Sequence, residues 1–256
     1  MGSQVPEIRI IGLTGLPLIK KGDNIAELIV EATKKLNIGI EDGDIVIVCQ
    51  KIVSKAEGRV FRLDEVKPSP FAEEIAKWLE KDPRLVEIIL REARGIVRMG
   101  DHHLITQTKH GFVCANSAVD RSNVNGGKSV TTLPVDPDES ARRIRGEIKR
   151  LTGRDVAVII SDTHGRPFRK GAINVAVGVA GMKPIRRDVG KEDLFSYVLK
   201  TTYVAVADEL ASAAELIMGQ SSERIPVVII KGYRFEPSEE GRATDIVRPM
   251  EKDLFY

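Results

Sequence analysis

Three apolar runs of strand length, at residues 44–49, 155–160 and 226–230, most constrain what this chain can fold into. A run with no polar alternation suits a strand buried on both faces, so layers of other elements must cover it. Residues 7–13 read as a further short strand, and 14–22, with Gly15, Pro17 and Gly22, as a loop. Helices account for the cover. Ile25, Leu28, Ile29, Ala32 and Leu36 recur at helical spacing over 24–36, and Asn37 and Gly39 end that helix. Ser69-Pro70 and Asp82-Pro83 each set a capping residue before a proline, which marks two more helix starts. Asp136-Pro137-Asp138-Glu139 opens another, with Asp136 as cap and Glu139 placed to reach back to it; Ala141, Ile144, Ile148 and Leu151 continue it to Gly153. A last helical region is expected over 192–218, where Ala207, Ala211 and Ala214 permit close packing, while 95–134 is strand-like with turns at 99–102 and 109–111. Strands and helices alternate without a regular βαβ rhythm. The pattern predicts an α+β fold of mixed sheets with packed helices, in two parts, and not a doubly wound sheet. Prolines at 68–70 and the 134–138 segment are joints between sublobes more than domain boundaries.

With 256 residues the chain can bury a sizeable core, and 42% hydrophobic residues exclude wholesale disorder. A net charge of +2, from 39 basic and 37 acidic residues, gives no reason to expect nucleic acid or an anionic membrane as partner. The most apolar window, 172–182, is too short to span a bilayer and contains Asn174. No apolar leader is evident at the amino terminus, so a cytoplasmic protein is expected. Cys49 and Cys114 stand apart from each other and read as small buried hydrophobes in a reducing compartment. Charged residues reach 30% while Asn, Gln, Cys and Met are scarce, a composition that fits a thermophile.

Two segments carry chemistry. In Ser161-Asp162-Thr163-His164-Gly165-Arg166-Pro167-Phe168-Arg169-Lys170-Gly171 a buried strand delivers a carboxylate at its end, rigidly held and open on one side. Hard cations take oxygen ligands in such a place and keep positions free for phosphates, and Thr163 could add an oxygen. Arg166 and Arg169, with Lys170, would face anionic substrate groups; the alternative is an Asp-Thr turn with solvated charges. The second segment, 116–129, holds Asp120 among hydroxyls and amides, followed by Gly126-Gly127-Lys128-Ser129. That ending imitates a phosphate-binding Walker loop, but Ser122 stands where its first glycine belongs and a strand follows where it needs a helix. No dinucleotide fingerprint is present either, so neither a P-loop nor a Rossmann site is expected. Gln50-Lys51-Ile52-Val53-Ser54-Lys55, if helical, puts Lys51 and Lys55 on one face, where they could meet phosphates or simply be solvated. Gly219 caps a long helix, and Gln220, Ser221 and Glu223 beside it suggest a ligand. His102-His103 lack supporting ligands and read as polar loop residues.

Taken in order, the Gly15-Leu16-Pro17 loop, Gln50-Lys51-Ile52-Val53-Ser54-Lys55, Ser117-Ala118-Val119-Asp120-Arg121-Ser122-Asn123, Ser161-Asp162-Thr163 with Gly165-Arg166-Pro167, and Met218-Gly219-Gln220-Ser221 resemble the coenzyme F420-0:gamma-glutamyl ligases. The resemblance spans nearly the whole chain. It implies one catalytic unit over 1–256, of two interleaved α+β subdomains, in an intertwined homodimer. It implies L-glutamate and F420-0 as substrates, joined at the expense of GTP through an acyl phosphate, with a second glutamate then added through a gamma linkage. It also implies divalent cations, Mg²⁺ or Mn²⁺ and two of them, with K⁺ as a further candidate. Asp120 and Asp162 are then ligands to one cation, with Thr163 and Gln220 at the second. The GTP-contacting set is Gly15, Leu16, Pro17, Leu18, Gln50, Lys51, Lys55, Asn123, Met218, Gly219, Gln220, Ser221, Ser222, Glu223, Arg224 and Ile225. A metal-dependent nucleotide phosphohydrolase using the same carboxylates, or a non-catalytic nucleotide- or deazaflavin-binding protein, is the competing expectation.

Overall fold

A computed structural model describes residues 5–254; residues 1–4, on which the leader reading partly falls, lie outside the described residues. Strand β1 (Arg9–Gly12) precedes α1 (Ile25–Lys35), whose free amides at Ala26 and Glu27 are taken by the Asn24 side chain. β2 (Ile45–Cys49) passes directly into α2 (Gln50–Ala56), and β3 (Val60–Arg62) follows. α3 (Pro70–Leu79) and α4 (Pro83–Glu92) start at the Ser69 and Asp82 caps, as the sequence predicts. β4 (Ala93–Gly100), β5 (His103–Thr108), β6 (Val113–Ala115) and β7 (Ser129–Thr131) come next. α5 (Pro137–Thr152) begins where the Asp136 carboxylate accepts the Glu139 amide at 2.9 Å. The expected reciprocal bond is replaced: the Glu139 carboxylate takes Arg142 at 2.9 Å, a charged partner on its own helix face. The chain then forms β8 (Ala157–His164), β9 (Ile173–Met182), β10 (Arg186–Arg187), β11 (Tyr203–Val204), α6 (Val206–Met218), β12 (Val227–Lys231) and β13 (Pro237–Ser238).

The central sheet has the order β1-β12-β2-β8-β9-β13. The three apolar runs therefore lie side by side as β12, β2 and β8, and Val46, Ile47, Val48, Val158, Ile159, Val228 and Ile229 are fully buried there. Only β2 and β8 are parallel; every other pair in the sheet is antiparallel. This mixture is the α+β fold expected from the irregular element order. Both α5 and α6 pack on β9, whose residues 176–182 are all buried, so the strand is covered on both faces. Ala207, Ala211 and Ala214 are fully buried in α6 and let it approach closely.

A second part of the chain has its own core. Ala72, Ile75, Ala76 and Leu79 of α3 pack with Val86 and Ile89 of α4 and Leu104 of β5, beneath the three-stranded β4-β5-β6 sheet. A third small cluster, Leu63, Ile88 and Val130, lies next to it, and the half-buried Val119 touches both. One expected helix is corrected. Helix begins only at Val206, because the Asp193 carboxylate accepts the amides of Phe195 (2.8 Å) and Tyr197 (3.0 Å) and binds the preceding backbone into turns. Among the described residues no helix is long and apolar enough to cross a membrane.

The layer packing makes a paired prediction. A Cβ at Gly178 of β9 would stand 2.4 Å from the Pro137 carbonyl oxygen at the start of α5, a backbone atom with nowhere to go. Gly178→Ala is expected to destabilise the protein by about 1–3 kcal/mol. Gly146, inside α5, has nothing within 4 Å of such a Cβ. Gly146→Ala is expected to raise stability by roughly 0.5–1 kcal/mol. Thermal melts of the two variants check both signs.

Candidate active site

The site forms where the parallel pair ends. Cys49 and Ser161 are the last partners of β2 and β8, and there β2 turns into α2. β8 continues alone with β9, pairing Asp162 with Val175, Thr163 with Asn174 and His164 with Ile173. Ser161-Asp162-Thr163 is thus strand and not turn, because β9 keeps supplying backbone partners after β2 has left. A bulge between Ile160 and Ser161 precedes Asp162, the kind of irregularity that re-aims a side chain at a sheet rim. The Asp162 carboxylate is mostly buried, with Oδ2 3.2 Å from His164 Nε2.

Asp120 reaches the same region from the second part of the chain. Its amide donates to the Thr131 carbonyl (2.9 Å) and its own carbonyl accepts from Thr131 N (2.8 Å). Lys51 Nζ lies 2.6 Å from Asp120 Oδ2 and 2.7 Å from Ser122 Oγ, while the Ser122 amide donates to Asp120 Oδ1 at 2.7 Å. Burial pushes the Asp120 carboxyl up, but the Lys51 ammonium and the Ser122 amide and hydroxyl outweigh it and hold it below the ordinary carboxylate value. Gln50-Lys51-Ile52-Val53-Ser54-Lys55 is helical, and Lys55 faces the same loop: its Nζ donates to the Asn123 carbonyl at 2.9 Å. Burial, and after it the neighbouring Lys51 charge, pulls the Lys55 ammonium down.

Asn123 carries the contact onward, donating from Nδ2 to the Ser221 carbonyl at 3.2 Å. The adjacent Gln220 donates from Nε2 to Thr163 Oγ1 (3.0 Å) and to Glu215 (3.1 Å), and Thr163 Oγ1 donates to Asn174 Oδ1 at 2.8 Å. Glu223 folds back over Gly219 and accepts the Ser221 amide at 2.8 Å; backbone amides hold its carboxyl below the ordinary value. A Cβ on Gly12, the last residue of β1, would meet Ile217 and Ile225, so the chain enters the Gly15–Leu18 loop from beside those two side chains. Leu16 packs on the main core while Leu18 is exposed.

Asp120, Lys51, Lys55, Asn123, Ser221, Gln220, Thr163 and, on the same strand, Asp162 are therefore gathered from four separate segments. Gln50 is buried and its Oε1 accepts from Ser54 Oγ at 2.9 Å, so that oxygen is occupied inside its own helix. Arg166 and Arg169 are not drawn in: residues 165–170 form the exposed tip between β8 and β9, and neither guanidinium has an ion-pair partner among the described residues. Sequence reading passed over His164, Ser122 and Asn174. The last carried a signal, as the one amide inside the apolar 172–182 window, placed opposite Thr163 in the β8–β9 register.

The features set aside stay aside. Gly126-Gly127-Lys128-Ser129 runs from a tight turn into β7, an antiparallel partner of β3, with no helix at its end. Both cysteines are free, and burial pushes the Cys114 thiol up to about 12, too weakly ionised for a nucleophile. His102 sits in the turn between β4 and β5, its Nδ1 3.1 Å from the Leu79 carbonyl.

Residues 14–232 match the family described as F420-0:Gamma-glutamyl ligase. The chain belongs to that family. It is 51% identical over 249 residues to a coenzyme F420:L-glutamate ligase of Methanothermobacter thermautotrophicus, covering 97% of this chain and 98% of that protein. It is 49% identical over 251 residues to the protein of the same description from Methanocaldococcus jannaschii, covering 97% of each. At 40% over 247 residues, 96% of each, it is similar to the one from Archaeoglobus fulgidus.

The electrostatic balance at Asp120 gives a direct test. Lys51→Met removes the charge that opposes burial, so the Asp120 carboxyl is expected to titrate upward from its depressed value. A carboxyl-carbon NMR titration reads the shift; an unchanged or lower Asp120 value contradicts the assigned cause.

Proposed function

We propose that this chain is a GTP-dependent ligase that joins L-glutamate to coenzyme F420-0 and then adds a second glutamate through a gamma linkage. The observation that carries the reading is the single hydrogen-bonded network that joins α2, the 120–123 loop, the 220–221 segment and Thr163 of β8. Its lysines suit phosphate oxygens, and its carboxylates and neutral oxygens suit a hard cation. Among the described residues no group of three or more His, Cys, Asp or Glu could enclose an ion. Mg²⁺ is commonly held by one or two carboxylates and completed by substrate phosphates. Asp120 and Asp162 would hold such ions with Thr163 and Gln220, and when bound they would neutralise the phosphoryl oxygens and keep the transfer in line.

The chain's own residues supply the rest. A free carboxylate acylates poorly, so its oxygen first takes the terminal phosphoryl group of GTP, leaving GDP. Lys51 and Lys55 offset the charge of the nucleotide phosphates, and the Asn123–Ser221 contact fixes the two walls between which they lie. The neutral amine nitrogen of glutamate then bonds to the acyl carbon, the carbon–oxygen bond to phosphate breaks with phosphate taking the electron pair, and the nitrogen gives up one proton to solvent. Phosphoryl transfer of this kind depends on positioning and charge and needs no side-chain nucleophile. The family relatives, described as coenzyme F420:L-glutamate ligases along nearly all of this chain, support the choice of substrates.

Incubation with GTP, Mn²⁺, L-glutamate and F420-0, followed by product mass, is expected to show one and then two added glutamates with GDP formed. Phosphate release without a glutamate adduct, or binding without turnover, would overturn the proposal in favour of a phosphohydrolase or a binding protein. Asp162→Asn is expected to lower turnover by about 100-fold or more, since even outer-shell partners of a metal are worth roughly 10- to 100-fold. Its melting temperature should change little, because the substitution removes charge and not packing.

A further inference from the structure

The chain leaves β6 through a left-handed turn built from three consecutive non-glycine residues, Asn116, Ser117 and Ala118, with φ of 55°, 52° and 58°. Residues with a Cβ enter this region singly and at a cost, so three in a row persist only where their surroundings over-determine them. Ser117 is what does so. It is buried, and its amide donates to Thr106 Oγ1 at 2.9 Å. Its hydroxyl donates to the Ile89 carbonyl at 2.9 Å, one of the last four carbonyls of α4, which have no partner within the helix. With that proton committed, the 2.8 Å contact between the two hydroxyls must run from Thr106 to Ser117. Every donor in the knot then has an acceptor, and the Cys114 carbonyl, 3.5 Å from Thr106 Oγ1, offers that hydroxyl only a longer contact.

Two residues on, Val119 packs into both of the smaller cores, and Asp120 is bonded through its own amide and carbonyl to Thr131. We infer that Ser117 is a positioning residue for Asp120: its hydroxyl, relayed through Thr106 and the end of α4, locks the left-handed turn that aims the Asp120 carboxylate at Lys51. The inference rests on the ligase reading for its consequence in turnover, not for the geometry. A right-handed or extended turn at 116–118 would withdraw Val119 from its cores and carry Asp120 off its bridge.

Ser117→Gly tests it without threatening the backbone, because glycine adopts this φ freely while lacking the hydroxyl. Hydrogen exchange at the Asp120 and Thr131 amides is expected to accelerate about tenfold or more. At a temperature where melts show full folding, kcat should fall about 10- to 100-fold with KM for GTP and glutamate changed less than about twofold, the mark of lost positioning. Thr106→Val should reproduce both effects, and Thr106→Ser, which keeps the hydroxyl, should restore them; a merely structural role would show in melting temperature and not in that kcat pattern. Wild-type exchange at Asp120 in Ser117→Gly, or no difference between Thr106→Val and Thr106→Ser, overturns the inference. A fully active Asp120→Asn overturns the ligase-site reading instead and is separable, since it says nothing of exchange at Asp120 in Ser117→Gly.

Discussion

Parallel strands β2 and β8 run side by side from Ile45 and Ala157 to Cys49 and Ser161, and the rest of the structure depends on where that pairing stops. Ile45–Val48 and Ala157–Ser161 are buried where the two strands pair, so neither can shift register without exposing a row of valines and isoleucines, each worth about 1.5–3 kcal/mol on burial. At Cys49 one strand becomes a helix carrying Lys51 and Lys55, while the other continues to Asp162 and Thr163 with β9 alone. Cations and carboxylates are thereby delivered to one end of the sheet, outside the carboxyl ends of adjacent parallel strands, where open α/β sheets generally place ligands.

Charge at that end is arranged by burial as much as by pairing. The Lys51–Asp120 contact is partly buried, and at 2.6 Å it outweighs, with the Ser122 bonds, the desolvation that pushes the carboxyl up. Among the described residues Lys55 forms no ion pair and donates to the Asn123 carbonyl, and burial and Lys51 disfavour its charge more than Cys49 and the more distant Asp120 favour it. An ammonium held in that condition gains more than an exposed one from an incoming phosphate, because its own desolvation has already been met by the fold.

The sequence made the fold class legible because the informative elements are local. Apolar runs of strand length, the Ser69, Asp82 and Asp136 caps and the Gly153 stop each express a short-range rule, and each is found. Strand order was not legible, since β12 enters between β1 and β2 from nearly two hundred residues away. Residues 192–204 misled because Asp193 competes for backbone amides that a helix would use. At the site, Asp120, Asp162 and the lysines carried chemistry in their residue types, and the resemblance supplied their company. Asn174 showed only as a lone amide in an apolar window, and the Ser117 knot was hidden because its meaning lies in buried hydrogen bonds between distant segments, which no spacing in the chain displays.

The two carboxylates stand on different cores. Asp162 is fixed by the main sheet, whereas Asp120 hangs from a turn pinned to α4 and from Val119 in the smaller clusters. The polar contacts that cross between these parts are the partly buried Lys51–Asp120 pair with its Ser122 bond and two exposed ones, Lys55 to Asn123 and Asn123 to Ser221, which contribute on the order of 1 kcal/mol or less each. The exposed contacts by themselves hold the two parts only weakly. The Asp120–Thr131 bridge and the β3–β7 ribbon must therefore set the coarse placement, and a ligand that touches both carboxylates would set the fine one. On the ligase reading a bound substrate would complete the site, and the Ser117 hydrogen bonds that hold the strained 116–118 turn keep the approach to Asp120 fixed beforehand.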